Sequence, residues 1–242
     1  MTQPTLLLTG ASRGIGHATV KQFSAQGWRV ITCSRHPFPE NCPWPSGEED
    51  HIQLDLSDPN STIAAVAEVK ARIGGRLEAL VNNAGISPKG EGGERLSTMT
   101  TDLRTWGHVF HVNFFASVIL AKGLIDELTA AKGAIVNVTS IAGARVHPFA
   151  GAAYATSKAA LAALTREMAN DLGPLGVRVN AIAPGEIETD ILSEGTQELV
   201  QDIPLRRLGQ PDEVARTIYF LCTDPSAYIS GVEIEINGGQ HV

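Results

Sequence analysis

Cysteine is scarce. Cys33, Cys42 and Cys222 are the only three in 242 residues, and no two of them stand as C-x-x-C. An odd, scattered set excludes a disulfide framework and reads as reduced thiols, as expected of a cytoplasmic protein. Positive charge is also short: 19 Lys and Arg against 26 Asp and Glu give a formal net charge of −7. No basic run interleaved with aromatics occurs, which argues against a nucleic-acid surface. No apolar run is long enough to span a bilayer, and none is expected to anchor the chain to a membrane. The opening Met1-Thr2-Gln3-Pro4 lacks both a charged n-region and a long apolar h-region, so no signal peptide is expected. Repeats, linkers and low-complexity segments are absent as well. What is present, 43% hydrophobic residues, suffices for one substantial core, and one domain over 1–242 is the default.

Short apolar runs alternate with amphipathic segments along the chain. Thr5-Leu6-Leu7-Leu8-Thr9 reads as a fully buried parallel strand that stops at glycine. Gly10-Ala11-Ser12-Arg13-Gly14-Ile15-Gly16 follows, and then a helical pattern through Ala18, Val20 and Phe23. Strand, glycine loop and helix in that order make a phosphate cradle, because the glycines admit the ligand to the backbone and the helix N-terminus attracts negative charge. Further strands are expected at 28–33, 51–54, 77–81, 134–139, 177–182 and 233–236, with helices from about Ser57 to Ile73, Leu103 to Leu128, Gly151 to Leu172 and Asp212 to Cys222. Between His36 and Asp50 stand Pro37, Pro39, Pro43 and Pro45, which forbid a helix of more than one turn. The loop 86–101 is polar and glycine-rich, and 186–203 is irregular enough to serve as a lid. Strands alternating with helices imply an α/β fold, a doubly wound parallel sheet of about seven strands with helices on both faces.

The candidate chemistry lies at Tyr154 and Lys158, four apart and therefore on one face of a helix. An ammonium beside a phenol favours the phenolate. Ser140, at the end of the fifth strand, could hold a carbonyl oxygen while the phenol donates its proton. Asn113, midway along the 103–128 pattern, reads equally as a satisfied packing residue. His108 and His111 share a helix face, but no carboxylate or cysteine completes a set, so no metal is expected and both read as structural. Glu186 and Glu188 are read as a solvated pair on an extended turn.

Taken together the motifs resemble the short-chain dehydrogenase/reductase family over nearly the whole chain. Thr9-Gly10-x-x-x-Gly14-x-Gly16 is similar to its cofactor loop, Asn82-Asn83-Ala84-Gly85 to its sheet-stabilising motif, and Asn113, Ser140, Tyr154 and Lys158 to its catalytic four. Asn180 and Pro184-Gly185-x-x-x-Thr189 match the segment that meets the nicotinamide. The resemblance implies a Rossmann fold and hydride transfer between nicotinamide and a carbonyl carbon. In it Tyr154 is general acid or base, Lys158 lowers the phenol pKa and holds the ribose, Ser140 orients the substrate oxygen, and Asn113 supports a relay water through a local helix break. Gly10, Ser12, Arg13, Gly14, Ile15 and Gly16 would form the cradle. Asp55 and Leu56 would meet the adenine, Asn82, Ala84 and Gly85 the adenosine ribose, and Ile187 and Thr189 the carboxamide beside Pro184 and Gly185.

The chain departs from the family pattern in places. Ser140 and Tyr154 are fourteen apart, one more than in the relatives it most resembles, and the loop between them lines the substrate pocket. Loop 86–101 is longer than common and the lid after Gly185 shorter. Arg207-Leu208-Gly209, Tyr228-Ile229-Ser230-Gly231 and Asn237-Gly238-Gly239 resemble the 3-oxoacyl-carrier-protein reductases. Ala131 and Leu175, however, replace the arginines on which those enzymes dock an acidic carrier, and the net charge opposes docking. A small-molecule carbonyl or alcohol is therefore expected as substrate, with the carrier-bound acyl chain as alternative. A cofactor-binding redox sensor without turnover would require a damaged catalytic set, and none is seen. Arg13 and Arg35, with Ser34 where NAD users carry a carboxylate, tilt the cofactor to NADP(H), with NAD(H) as the alternative. A homotetramer is implied by resemblance.

Overall fold

The computed structural model describes residues 3–38, 47–189 and 195–242. Seven parallel strands form one sheet in the order β3-β2-β1-β4-β5-β6-β7. They are β1 (Thr5–Thr9), β2 (Arg29–Ser34), β3 (His51–Gln53), β4 (Ala79–Asn82), β5 (Ala134–Val138), β6 (Arg178–Pro184) and β7 (Glu233–Ile236). The order reverses at β1, which pairs with β2 on one side and β4 on the other. At such a reversal the following connections leave toward opposite faces, and a crevice opens beyond the carboxyl ends of the strands.

Helices cover both faces: α1 (Gly14–Ala25), α2 (Pro59–Ile73), α3 (Leu103–Phe110), α4 (Ala116–Gly123), α5 (Ile125–Ala131), α6 (Ala152–Leu172), α7 (Thr196–Leu199) and α8 (Pro211–Cys222). Leu6 and Leu8 of β1 point toward α1 and α8, joining Val20, Phe23, Val214 and Ile218 in one core. Leu7 points the other way, to a second core with Val69, Leu120, Leu124 and Ile135. Period-two alternation on a strand buried from both sides thus serves two cores at once. Truncating Leu7, fully buried, to alanine is worth about 2–5 kcal/mol. Local chemistry sets the helix ends. Asp58 caps α2 by accepting from Asn60 N, with Pro59 in the first turn and Gly74 in the left-handed conformation at its close. Gln210 and Glu213 form a capping box on α8.

Two expectations are refined. The long 103–128 pattern is not one helix: a π-helical turn at His111–Phe115 separates α3 from α4, and α5 follows at a bend. The proline-rich 36–50 connection lies largely outside the described residues; its described end holds one 3₁₀ turn, Glu48–Asp50. Residues 190–194 of the expected lid and Cys42 also fall outside them; the rest of the lid segment holds α7 and a 3₁₀ turn, Val200–Asp202.

Candidate active site

The tip of β1 and the tip of β4 are bolted together. Asn83 Nδ2 donates to Thr9 O at 3.1 Å and to Gly10 O at 2.9 Å, while Thr9 Oγ1 accepts from the amides of Asn83 and Ala84, each at 3.1 Å. This closeness demands glycine. Gly10 has φ +70, and a Cβ there would meet Ala84 Cα at 2.8 Å; one on Gly16 would stand 2.0 Å from the Gly10 carbonyl oxygen. The loop therefore presents bare backbone at the start of α1, where amide groups and the helix dipole favour an anion.

That loop forms one wall of a cleft of about 960 Å³ running along the carboxyl edge of the sheet. Gly10, Ser12, Arg13, Gly14, Ile15 and Gly16 line it, with Arg35, Asp55, Leu56 and Ala84. Ser140, Tyr154, Lys158, Pro184, Gly185 and Ile187 line it too, while Gly85 lies against Lys158 and Thr189 against Gly14. Asn82 is the exception: buried, its amide donates to Asn137 Oδ1 at 2.8 Å, inside the sheet. Because strand residues alternate in direction, Asn83 and not Asn82 reaches the cleft. Arg13 and Arg35 are exposed at the mouth. The Ser34 hydroxyl donates to His36 O at 3.0 Å. Asp55 accepts from the Ser57 amide and hydroxyl, which hold its carboxyl below the usual range.

Ser140, just past the end of β5, and Tyr154 on α6 both line the catalytic part of the cleft. Burial pushes the Tyr154 phenol up, the Ser140 side chain opposes this, and the negative charge of Glu186 adds to the rise. Lys158 is 2% exposed, and its Nζ donates to Val138 O at 2.7 Å and stands 5.8 Å from the Tyr154 ring centroid. Burial lowers the lysine itself to about 8. The phenol therefore stands above its ordinary value, against the downward pull expected of Lys158, because burial is the largest influence on it.

Asn113 lies in the π-turn, 1% exposed, as the expected helix break required. Its Oδ1 accepts from Ile86 N at 2.9 Å; its Nδ2 donates to Ile86 O at 3.1 Å and to Ser157 Oγ at 3.0 Å. It fastens loop 86–101 to α6 behind the cleft. His111 Nδ1 lies 2.8 Å from Gly107 O, a local contact, whereas His108 is exposed at the cleft.

Glu186 and Glu188 are not a solvated pair. Glu188 is exposed beside Gln210, but Glu186 is 9% exposed and lies 2.5 Å from His147 Nε2 within the cleft. No local pattern announces a partner 39 residues away.

A doubly wound sheet, a glycine cradle at its switch point and a Ser-Tyr-Lys set at the end of β5 define a nicotinamide-dependent class. The chain belongs to the short-chain dehydrogenase/reductase family and is an oxidoreductase: residues 10–241 match the family described as "Enoyl-(Acyl carrier protein) reductase". It is 61% identical over 240 residues to Protein FixR of Bradyrhizobium diazoefficiens, covering 98% of this chain and 86% of that one. A 3-oxoacyl-[acyl-carrier-protein] reductase of Synechocystis is 33% identical over 248 residues, 99% of this chain and 97% of its own. The crystal structure of a short chain dehydrogenase/reductase family oxidoreductase from Brucella ovis, in complex with a partially ordered NAD, superposes with a TM-score of 0.85 at 61% identity, covering 98% of this chain and 100% of that chain.

Proposed function

We propose that this protein transfers a hydride between NADP(H) and a small-molecule carbonyl or alcohol, with Tyr154 as general acid and base. The observation that carries the reading is that Ser140, Tyr154 and Lys158 line one cleft, with Lys158 Nζ 5.8 Å from the Tyr154 ring centroid. When bound, the cofactor supplies or accepts the hydride. Gly10, Ser12, Gly14, Ile15 and Gly16 hold its pyrophosphate on amide groups, and Asp55, Leu56, Ala84 and Gly85 border the adenosine. Pro184, Gly185, Ile187 and Thr189 border the nicotinamide side. Ser140 fixes the substrate oxygen beside the phenol, and Tyr154 gives that oxygen its proton in reduction and removes it in oxidation. Lys158 supplies positive charge beneath the site, and Asn113 keeps the loop and α6 in register.

NADP(H) is favoured because Arg13 and Arg35 border the cleft end where a ribose 2′-phosphate would lie, and Ser34 carries no charge to repel it. NAD(H) is the alternative, and the Brucella ovis relative holds NAD. The second reading, a 3-oxoacyl-carrier-protein reductase, is favoured by the name of the Synechocystis relative; Ala131, Leu175 and the charge of −7 speak against carrier docking. Tyr154→Phe tests the mechanism. Turnover of ketones should fall about 10²-fold or more while cofactor still binds, since only the transferable proton is deleted. Activity retained in Tyr154→Phe would reject it.

A further inference from the structure

Two titratable groups in the cleft, the buried Glu186 and the half-buried His147, have no part in the proton transfer at Tyr154. Glu186 follows the Pro184-Gly185 turn, and His147 lies on the loop between Ser140 and Tyr154, the loop that is one residue longer than expected. Phe149 N donates to His147 Nδ1 at 3.2 Å, so Nδ1 is the accepting nitrogen. The ring proton then sits on Nε2 and is donated to Glu186 Oε1 at 2.5 Å. Both residues line the cleft beside Tyr154, and the charge of Glu186 is felt at the phenol.

The pair is held from several sides. Glu186 N donates to Gln240 Oε1 at 3.3 Å, and Glu186 O accepts from Gly209 N at 2.9 Å. Arg95 Nε donates to His147 O at 3.2 Å, and Lys89 donates to Phe149 O. Arg145 donates to Gln240 O, joining both sides of the pair to the C-terminal segment. A carboxylate fixed in this way is a preorganised acceptor, and it selects a substrate group that donates. Lys89 and Arg95 flank the loop and Lys158 lies beneath, so an added ammonium meets repulsion as well as attraction, and a substrate carboxylate or phosphate would face Glu186. A neutral hydroxyl meets neither obstacle.

We infer that Glu186, oriented by His147, is the specificity-determining acceptor for a hydroxyl on the carbon next to the reacting one. The substrate class is then neutral α-hydroxy ketones and the vicinal diols formed from them. This deepens the oxidoreductase reading and rests on it. In reduction the carbonyl carbon gains hydride from NADPH and the carbonyl oxygen gains the Tyr154 proton, leaving a diol and NADP⁺; Glu186 accepts a hydrogen bond throughout and exchanges no proton.

The test compares hydroxyacetone with butanone, in which a methyl replaces the hydroxyl, using the full chain with NADPH and NADH. Wild-type kcat/KM should favour hydroxyacetone by about tenfold or more, the discrimination of a site built to bond a hydroxyl. Glu186→Ala should bring the ratio of the two near one, and His147→Gln should lower it partway. If Glu186→Ala fails to fold, Glu186→Gln serves, with the ratio reduced. A second readout avoids turnover: in Tyr154→Phe with NADPH, calorimetric affinity for hydroxyacetone should weaken about tenfold when Glu186→Ala is added, while affinity for butanone stays level. Equal reduction of both ketones by wild type, or a ratio and affinity indifferent to Glu186, overturns the inference and leaves the oxidoreductase reading standing. Preference for aminoacetone over hydroxyacetone overturns the neutral-hydroxyl assignment. No turnover of any ketone with either cofactor defeats the oxidoreductase reading, and the inference with it.

Discussion

Lys158 shows how a single residue couples function to stability. Its pKa falls from 10.5 in the open chain to about 8 in the fold, through burial. Between those values the unfolded chain binds more protons than the folded one, so stability rises with pH across that window. Below about 8 the cost of burying the charge is felt in full, about 3 kcal/mol at roughly 1.4 kcal/mol per pKa unit. Lys158→Met should therefore abolish activity yet raise the melting temperature at pH 7 by about 5 °C, after about 1 kcal/mol is lost at Val138 O. The gain should shrink by pH 10, and thermal melts at both pH values decide it; a gain that does not change with pH would contradict the burial argument. Cofactor choice also turns on single residues. With Arg13 and Arg35 at the cleft mouth, kcat/KM at low salt should favour NADP(H), and Arg35→Ala or Ser34→Asp should each shrink or reverse the margin by about tenfold, the worth of one charge-assisted contact. A wild type that prefers NAD(H) and is indifferent to both changes would end that reading.

At the scale of elements, the π-turn is the feature with the clearest physical cause. A π-turn carries one residue more than a regular turn, and here it brings Asn113 to face Ile86 and Ser157. Asn113→Ala deletes three hydrogen bonds in a buried place and leaves both polar groups of Ile86 without that partner. A loss of about 2–4 kcal/mol is expected, read in a denaturant titration. Activity should fall further than stability accounts for, because loop 86–101 borders the cleft that α6 completes. Asn113→Ser, which keeps a hydroxyl donor and acceptor, should recover part of both. An unchanged midpoint in Asn113→Ala would mean that the turn is held by its neighbours alone. The apolar spacing of 103–128 announced helix and the resemblance announced a break; the extra residue of the π-turn is not visible in periodicity, since one inserted residue shifts the phase by only a fraction of a turn.

For the whole molecule, the exposed apolar residues on α3 and the segment before it set the expectation. Met99 is 92% and Leu103 88% exposed, and Phe115 on the π-turn is 45% exposed. Met99 and Leu103, four apart and almost fully exposed, are the large apolar side chains in this segment that contact with another chain would cover. We predict a homotetramer in which α3, α4 and α6 pack against their mates and the segment 233–242 forms a second interface. Light scattering at micromolar concentration should return four times the 25.7 kDa chain mass, and a monomer would refute it. Met99→Lys with Leu103→Lys should yield smaller species, since two charges cannot be buried unpaired in a symmetric contact.

The strands, their order of appearance and the two faces of β1 were legible in the sequence, because alternation and glycine punctuation are local and a buried parallel strand tolerates little else. So were the cradle and the Ser140, Tyr154 and Lys158 set, whose spacing survives into space as one strand end and one helical turn. What folding alone decided is everything that depends on burial or on chain segments far apart. Asn83 rather than Asn82 turned to the cleft because the strand's pleat, fixed by pairing with β1 and β5, assigns the faces. The Tyr154 phenol stands above its ordinary value because burial, which no local spacing announces, is the largest influence on it. Glu186, read as a solvated carboxylate, became a buried one because the loop before Tyr154 carries His147 onto it, and two residues so distant in sequence meet only when the sheet between them has formed.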